Sequence, residues 1–296
     1  MKQVLIIGSR DRGEKNDPIK IAEVLIAADL VANVIYWEDM LFSVVKDEVS
    51  VTISGKNILE PKPDLVIALG WYKNGKQSIY RDIAFSLALV LKHNGIKFWN
   101  SEMINQRSST KLSCMVQLAL QGISVPQTVF SLNVNQAIEK MTMSFVAKAA
   151  GASRGENNFW IKSDIDLKQI VDIDTYFIFQ PFMENDHDLR VICFGGVPNL
   201  VLRRSRQPGA DTHLNNTSKG GSANWLELSN VNPDLLTLSE KICKVTGREM
   251  AGIDFIPDAS SSVGYSCLEV NAIPQLTSGT DSDKKILALT NELKKR

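Results

Sequence analysis

The stretch YSCLEVNAIPQL, from Tyr265 to Leu276, decides how the chain is interpreted. It is typical of a buried strand, yet Glu269 and Asn271 lie two residues apart within it. Alternate residues of a strand point to the same face of a sheet. A carboxylate and an amide are therefore aimed at one place. A polar edge strand with a hydrogen-bonded asparagine explains the pair equally well, so this stretch alone leaves both interpretations open.

An earlier stretch, GIDF, adds Asp254 to this pair. If the two strands pair in an antiparallel sheet, Asp254, Glu269 and Asn271 come together. Two carboxylates and an amide oxygen form a set of hard ligands, which suits a Mg²⁺ ion that also keeps phosphate oxygens as ligands. The two stretches together favour a magnesium site over a polar edge.

The composition is that of a globular protein. The chain has 296 residues, enough for one large domain or two to three smaller ones, and 44% of them are hydrophobic. Basic and acidic residues number 33 each, so we expect no nucleic-acid partner and no membrane surface. Four scattered cysteines without a CxxC pair predict buried free thiols in a reducing cytoplasm. The start, MKQVLIIG, is too short for a signal peptide.

Residues 1 to about 99 alternate between apolar strands and helices, which predicts an open α/β layer. The turn after the first strand, GSRDRGEK from Gly8, fails both the P-loop pattern and the G-x-G-x-x-G pattern. No nucleotide is expected there, and a dinucleotide-dependent oxidoreductase is disfavoured. The predicted strands are Gln3–Gly8, Ala32–Trp37, Pro63–Trp71 and IKFWNS. One helix is predicted from about Asp17 to Ala28, and a second in the stretch SIYRDIAFSLALVLKHNG, which ends at Gly95.

The pattern changes to short antiparallel strands from Ser144 onward, after a helix in Ser109–Gly122. The stretches DLRVICFGG, VPNLVLRRS, MAGIDFIPD and YSCLEVN predict one antiparallel set, with a turn at Gly195-Gly196. A further helix is predicted from about Pro233 to Thr246. An α+β body therefore follows the α/β layer.

Three loops in this body are candidates for chemistry, and each has a simpler explanation. AKAAGASRGENNF places a Gly/Ser loop after Lys148, which suits phosphate binding but is also typical of a flexible hairpin with a surface lysine. FQPFMENDHDLRV could enclose a flat ring, or be an acidic loop with a surface ion pair between Asp188 and Arg190. The basic loop LRRSRQPGADTHLNNTSKGGSA is long enough to be functional, or else it is a solvated charged loop.

Taken in order, five motifs resemble the ATP-grasp superfamily, and most closely its RimK-like amino-acid ligase branch. They are NS…STKL, AKAAGASRG, QPFMENDHDLRV, RRS…NTSKGGSA and AGIDF…CLEVNAIP. Glutathione synthetase and D-alanine–D-alanine ligase are more distant relatives. The resemblance covers nearly the whole chain. It implies an ATP-grasp fold, α/β and α+β, behind an N-terminal Rossmann-like domain, with segments 1–99, 100–179 and 180–296.

The resemblance also implies a role for individual residues. The residues expected at ATP are Lys111 and Lys148 on the phosphates, Gly151, Ser153 and Gly155 in the loop that closes over them, Gln180 and Phe182 at the adenine, and Asp188 at the ribose. The residues expected to act on the acyl-phosphate or the substrates are Arg204, Asn216 and Lys219. The residues expected to bind Mg²⁺, or Mn²⁺ in its place, are Asp254, Glu269 and Asn271.

The activity implied by the resemblance is an ATP-dependent carboxylate–amine ligase. It would form an amide or peptide bond through an acyl-phosphate and release ADP and phosphate. Its substrates would be a carboxylate and an amine from an amino acid, a peptide or a protein terminus, and a homo-oligomer is one expected assembly. Two alternatives stay open: an ATP-grasp kinase that phosphorylates a small molecule, and a nucleotide-binding regulator without turnover.

Overall fold

The computed structural model describes residues 1–10, 16–69, 77–102, 110–142, 144–149, 157–171, 175–206, 209, 215 and 221–295. The helices in these ranges are α1 (Pro18–Ala27), α2 (Gln77–His93), α3 (Lys111–Leu120), α4 (Val134–Glu139), α5 (Lys168–Val171), α6 (Pro233–Thr246) and α7 (Ser282–Lys295). The strands are β1 (Gln3–Gly8), β2 (Val31–Tyr36), β3 (Leu41–Val45), β4 (Glu48–Ile53), β5 (Lys56–Asn57), β6 (Leu65–Ala68), β7 (Lys97–Trp99), β8 (Phe145–Ala149), β9 (Asn158–Ile161), β10 (Phe177–Pro181), β11 (His187–Phe194), β12 (Val197–Ser205), β13 (Ser222–Leu226), β14 (Ala251–Pro257) and β15 (Tyr265–Asn271).

The first layer is a parallel sheet with strand order β2-β1-β6-β7. Its central strands are continuous apolar runs because both faces are covered. Leu5 and Ile7 pack with Leu87 of α2 on one face, while Ile6 packs with Leu25 of α1 on the other. The predicted alternation of strands and helices is therefore observed. The division into three segments stays a prediction.

A second sheet, β3-β4-β5, is an antiparallel excursion that the sequence analysis did not anticipate. Its turns place Lys46 at φ 57° and Gly55 at φ 77°. Only Val51 in these strands is fully buried, so polar and apolar residues mix on both faces and the strand pattern is weak. The strand β13 and the helices α4 and α7 were also not predicted.

The third sheet has strand order β10-β8-β9 and carries the predicted phosphate lysine. Phe145, Ala147 and Phe179 form a core against α4 on one face. Alternation places Lys148 and Gln180 on the other face. The small sheet therefore presents one apolar face to its own core, and on the other face Lys148 and Gln180 lie among the apolar residues Val146 and Ile178.

The fourth sheet has strand order β13-β12-β11-β14-β15 and confirms the predicted antiparallel set. Val191, Ile253 and Phe255 pack against α3 and α6 on one face. At one end of the opposite face Phe194 joins a core with Leu289 of α7 and with β1. The predicted buried free thiols are confirmed, and all four belong to the first of these cores: Cys114, Cys193, Cys243 and Cys267.

None of the helices in the described ranges has both the length and the apolar character that crossing a membrane requires.

Candidate active site

The register between β14 and β15 brings Asp254, Glu269 and Asn271 to one face of the large sheet. Asp254 lies opposite Glu269, and Gly252 lies opposite Asn271. A β-bulge follows directly, because Phe255 pairs with Cys267 and the intervening Leu268 has no partner in the register. The bulge changes which face alternate residues occupy. As a result Cys267 is buried in the core while Glu269, two residues later, reaches the polar face.

Asp254 is the centre of a buried ion-pair network. Arg190 donates two hydrogen bonds to the Asp254 carboxylate, from Nε to Oδ1 at 2.6 Å and from Nη2 to Oδ2 at 2.7 Å. Arg204 Nη2 lies 3.1 Å from Asp254 Oδ1, and Arg204 Nε donates to Asp188 Oδ1 at 2.5 Å. Asp188, Arg204 and Asp254 are each at most 6% exposed. Two-point contacts of this kind fix the orientation of a carboxylate.

The charged groups in this network shift one another's pKa values. Burial alone would raise the pKa of Asp254, but the adjacent Arg190 and Arg204 outweigh it and hold the pKa below its usual value. Burial raises the pKa of Asp188, although Arg204 opposes the change. The pKa of Arg190 lies above its usual value: burial lowers it, and the contact with Asp254 more than compensates.

Glu269 has a cationic partner on a different element. Lys111, the first residue of α3, places Nζ 3.7 Å from Glu269 Oε1. The Glu269 side chain keeps 35% of its surface exposed, so its carboxylate faces open space beside the lysine. The side-chain amide nitrogen of Asn271 donates to the Gly252 carbonyl at 3.4 Å. The amide oxygen of Asn271 is left on the side of the sheet where Glu269 lies.

Lys148 reaches this cluster from the small sheet. Its Nζ donates to Gln180 Oε1 at 2.6 Å. Burial lowers the pKa of Lys148 to about 8, with Lys111 adding to the fall and Glu269 and Asp254 opposing it. Those three residues lie near enough to Lys148 for their charges to act on its pKa, so Lys148 lies in the neighbourhood of the Asp254 cluster.

The predicted nucleotide residues in the described ranges make contacts within the protein. Gln180 is 2% exposed and bonds to Lys148 and Thr128, so its side chain is committed inside the protein. The backbone N–H of Phe182 donates to the Ser144 carbonyl, and its ring stacks on Trp160 at 4.2 Å. Asp188 is bound by Arg204 rather than directed at solvent. The adenine and ribose contacts therefore stay predictions.

Five predicted residues lie outside the described ranges. They are Gly151, Ser153, Gly155, Asn216 and Lys219.

The described residues fit a polyphosphate with a divalent cation. Four cationic groups surround three carboxylates, which leaves the cluster with a positive excess for an anion; the cations are Lys111, Lys148, Arg190 and Arg204, and the carboxylates are Asp188, Asp254 and Glu269. Among the described residues no group of three His, Cys, Asp or Glu is placed to hold a metal. Glu269 and the Asn271 amide are the open oxygen donors, whereas arginines already occupy both oxygens of Asp254.

Arg190 is the functional candidate that the sequence analysis did not assign. The signal was present, because Asp188 and Arg190 alternate on one strand face. A sequence does not reveal whether such a pair is exposed or buried. The pairing of Arg190 with Asp254 in the sheet register decides it.

Comparisons with known proteins show the family of the chain. Residues 108–290 match the family model described as RimK-like ATP-grasp domain. A probable alpha-L-glutamate ligase from Trichodesmium erythraeum (strain IMS101) is 25% identical over 206 residues, which cover 65% of this chain and 67% of that protein.

Two solved structures share the fold. A Chryseobacterium gregarium RiPP-associated ATP-grasp ligase, in complex with ADP and a leader and core peptide, superposes with a TM-score of 0.70 at 14% identity and covers 100% of this chain and 97% of that one. The ATP-grasp ligase PsnB, complexed with a minimal precursor, Mg and ADP, has a TM-score of 0.65 at 16% identity, with 97% and 98% of the two chains covered. The predicted ATP-grasp fold is therefore confirmed.

Proposed function

This chain belongs to the RimK-like ATP-grasp family and is an ATP-dependent ligase that joins a carboxylate to an amine, and we propose that the cluster around Asp254 is its active site. The observation that supports the assignment is that Lys111 pairs with Glu269, Asn271 shares the sheet face of Glu269, and Lys148 lies within electrostatic reach of Lys111 and Glu269. Cations for phosphate oxygens and oxygen donors for a cation are thus side by side.

The contacts of these residues support a role for each. Lys148 and Lys111 bind phosphate oxygens, and Glu269 and Asn271 hold Mg²⁺, or Mn²⁺ in its place. Asp254, gripped by Arg190 and Arg204, either completes the metal site through a remaining lone pair or positions the arginines. The metal, when bound, neutralises charge on the transferring phosphoryl group. Arg204 stabilises charge on the acyl-phosphate and on the tetrahedral species that follows it.

The remaining nucleotide and substrate contacts rest on the family resemblance. Backbone groups near Phe182 hold the adenine. Asp188 binds the ribose while one of its carboxylate oxygens still accepts a hydrogen bond from Arg204. Gly151, Ser153 and Gly155 close over the phosphates, and Asn216 and Lys219 contact the phosphate or the substrate.

The named relatives support a proposal for the substrate class. One relative is named a probable alpha-L-glutamate ligase, and of the solved neighbours one is in complex with a leader and core peptide and the other with a minimal precursor. We propose that an α-amino acid supplies the amine and that a peptide or small-molecule carboxylate is activated. Cytoplasmic location and homo-oligomer formation are part of the same proposal.

The test pairs a product assay with a metal-ligand variant. We expect ADP release with a matching carboxylate and amine, and a product whose mass shows an amide rather than a phosphoester. Glu269→Gln keeps the shape and removes the charge, so ADP formation should fall by about two orders of magnitude or more, because phosphoryl transfer depends on positioning. Exposed Glu240 on α6 provides the control, Glu240→Gln.

Unchanged ADP formation in Glu269→Gln, with the melting temperature of the parent, would refute the metal assignment. A stable phosphorylated product without an amide would support the kinase instead.

A further inference from the structure

Gln180 lies in a chain of three hydrogen bonds that ends at Lys148. Thr128 Oγ1 donates to the Pro126 carbonyl at 2.9 Å. Gln180 Nε2 donates to Thr128 Oγ1 at 2.9 Å, and Lys148 Nζ donates to Gln180 Oε1 at 2.6 Å. We propose that Thr128 and Gln180 are positioning residues that orient the Lys148 ammonium toward the nucleotide phosphates. The inference rests on the proposed function, in which Lys148 binds phosphate.

The direction of the chain follows from the Thr128 hydroxyl. A hydroxyl has one proton, and Thr128 commits it to the Pro126 carbonyl two residues earlier. The oxygen can then only accept, so Gln180 must turn its NH₂ group toward Thr128. Its carbonyl oxygen is thereby left facing Lys148. The opposite amide orientation would set two donors, an NH₂ and an ammonium, against each other.

The backbone holds Thr128 in place for this role. Val129 and Phe179 exchange two bonds of 2.9 Å, from each N–H to the other's carbonyl. This bridge aligns the segment that carries Thr128 with β10, so Thr128 comes beside Gln180. The alignment is set by main-chain atoms, and the side-chain contact follows from it.

Because Gln180 is buried, these hydrogen bonds hold its side chain in one orientation, unlike a contact on the protein surface. Gln180 is 2% exposed, and both ends of its amide are satisfied by Thr128 and Lys148. A buried amide that lost one of these partners would pay for desolvation without compensation, so it does not turn freely to a ligand. An ammonium has three N–H groups. One is held by Gln180, and the other two remain for phosphate oxygens.

The alternative is that Gln180 contacts the adenine base, as the family resemblance implies. The two roles differ in which part of the nucleotide they affect. Loss of a lysine-orienting contact weakens the binding of ATP but not of adenosine, which has no phosphate. Loss of a base contact weakens both ligands alike.

The experiment measures the affinity of the full-length protein for Mg²⁺-ATP and for adenosine by calorimetry. Thr128→Val keeps the shape and removes the hydroxyl, and we expect ATP affinity to fall by about three- to tenfold, the range of one hydrogen bond. Adenosine affinity should change by less than about twofold, on the same scale. Thr128→Ser restores the hydroxyl and should bind ATP like the parent. Thr128→Ala is the second variant if Thr128→Val does not fold.

A double variant separates the positioning role from a general structural one. In the Lys148→Ala background, Thr128→Val should cause no further loss of ATP affinity, because its target is gone. Equal losses for ATP and adenosine, a persistent effect in the double variant, or no effect of Thr128→Val would each overturn the inference. If Lys148→Ala itself leaves ATP affinity unchanged, the phosphate role of Lys148 fails, and with it that part of the proposed function.

Discussion

At the scale of single residues, the two-point contact between Arg190 and Asp254 decides what the site can do. A buried carboxylate without a partner would be strongly destabilising, but the arginine satisfies both oxygens at 2.6 and 2.7 Å. The contact orients Asp254 and keeps it ionised, as its lowered pKa shows. The carboxylate is therefore prearranged before any ligand binds.

Replacing Arg190 by methionine should destabilise the protein, because Asp254 stays buried with only Arg204 beside it. We expect the free energy of unfolding to fall by about 3 kcal/mol at neutral pH. The deficit should shrink as the pH falls, since the pKa of Asp254 rises in the variant and protonation relieves the buried charge. Chemical unfolding at pH 7 and at pH 5 measures this change. An equal deficit at both pH values would argue against a role through Asp254.

The ammonium of Lys148 gives the site its expected alkaline limit. Its pKa is lowered to about 8, so the free enzyme loses this charge as the pH rises through that value. We expect kcat/KM for ATP to fall above pH 8 in the parent protein, because the neutral amine binds phosphate less well. Lys148→Arg should reduce activity but remove this fall, since a guanidinium stays charged.

Lys285 provides an internal control for this pH profile. Burial also lowers its pKa to about 8, and Lys148→Arg leaves it unchanged. An alkaline fall that persists in Lys148→Arg would therefore assign the titration to another group, such as Lys285.

At the scale of elements, the ends of helices and strands decide which groups meet. The β14–β15 bulge sends Cys267 into the core and Glu269 to the site. Helix α6 begins after Asn232, whose side chain accepts the Asp234 N–H at 2.9 Å, and ends at Gly247 with φ 66°. The carbonyl of Gly247 then accepts the N–H of Glu102 at 2.9 Å. The end of α6 therefore ties the segment after β7 to the large sheet.

Gly247→Ala should destabilise the protein more than Gly122→Ala, the same change after the end of helix α3. Both Gly247 and Gly122 have a left-handed backbone, with φ 66° and 69°, and this conformation disfavours a side chain by about 1–2 kcal/mol. A Cβ at Gly247 would also lie 3.1 Å from the Glu102 nitrogen, whereas nothing lies within 4 Å at Gly122. We expect a larger loss of melting temperature in Gly247→Ala than in Gly122→Ala. Equal losses would show that the Glu102 backbone yields without cost.

At the scale of the whole molecule, the N-terminal layer holds the strand that carries Glu269. Asn100, just after β7, donates to the Ala272 carbonyl at 2.6 Å and accepts the Met250 N–H at 2.9 Å. Asn16 accepts the Leu276 N–H at 2.8 Å. A core of buried residues from β1, β11 and α7 lies beneath these contacts. The first layer therefore supports the position of β15 in addition to forming its own core.

Asn100→Asp tests this support. The variant keeps the acceptor for Met250 but turns an oxygen toward the Ala272 carbonyl, so the buried bond is lost. We expect the free energy of unfolding to fall by about 1–3 kcal/mol and ADP formation to fall with it, because Ala272 follows Asn271. Asn94→Asp is the control, since it removes only a local bond to Val90 at the end of α2. Similar effects of the two variants would mean that Asn100 does not support the site.

The sequence by itself determined the fold class and the shared face of Glu269 and Asn271. Apolar runs and glycine turns predicted the strands of the parallel sheet and of the antiparallel set, because burial imposes a period that local sequence records. Glu269 and Asn271 were predicted to share a face for the same reason. Antiparallel pairing of the two strands was expected to bring Asp254 beside them, and the register places Asp254 opposite Glu269.

Only the tertiary structure decided which partner each polar group takes. Arg190 and Asp254 are 64 residues apart, and Gln180 and Thr128 are 52 apart, so no local pattern connects them. The family resemblance implied roles at the adenine for Gln180 and at the ribose for Asp188, which stay predictions, and only the structure shows that Gln180 bonds to Lys148 and Asp188 to Arg204. Hydrogen-bond partners depend on sheet register and burial, and both are properties of the packed chain rather than of any short stretch of it.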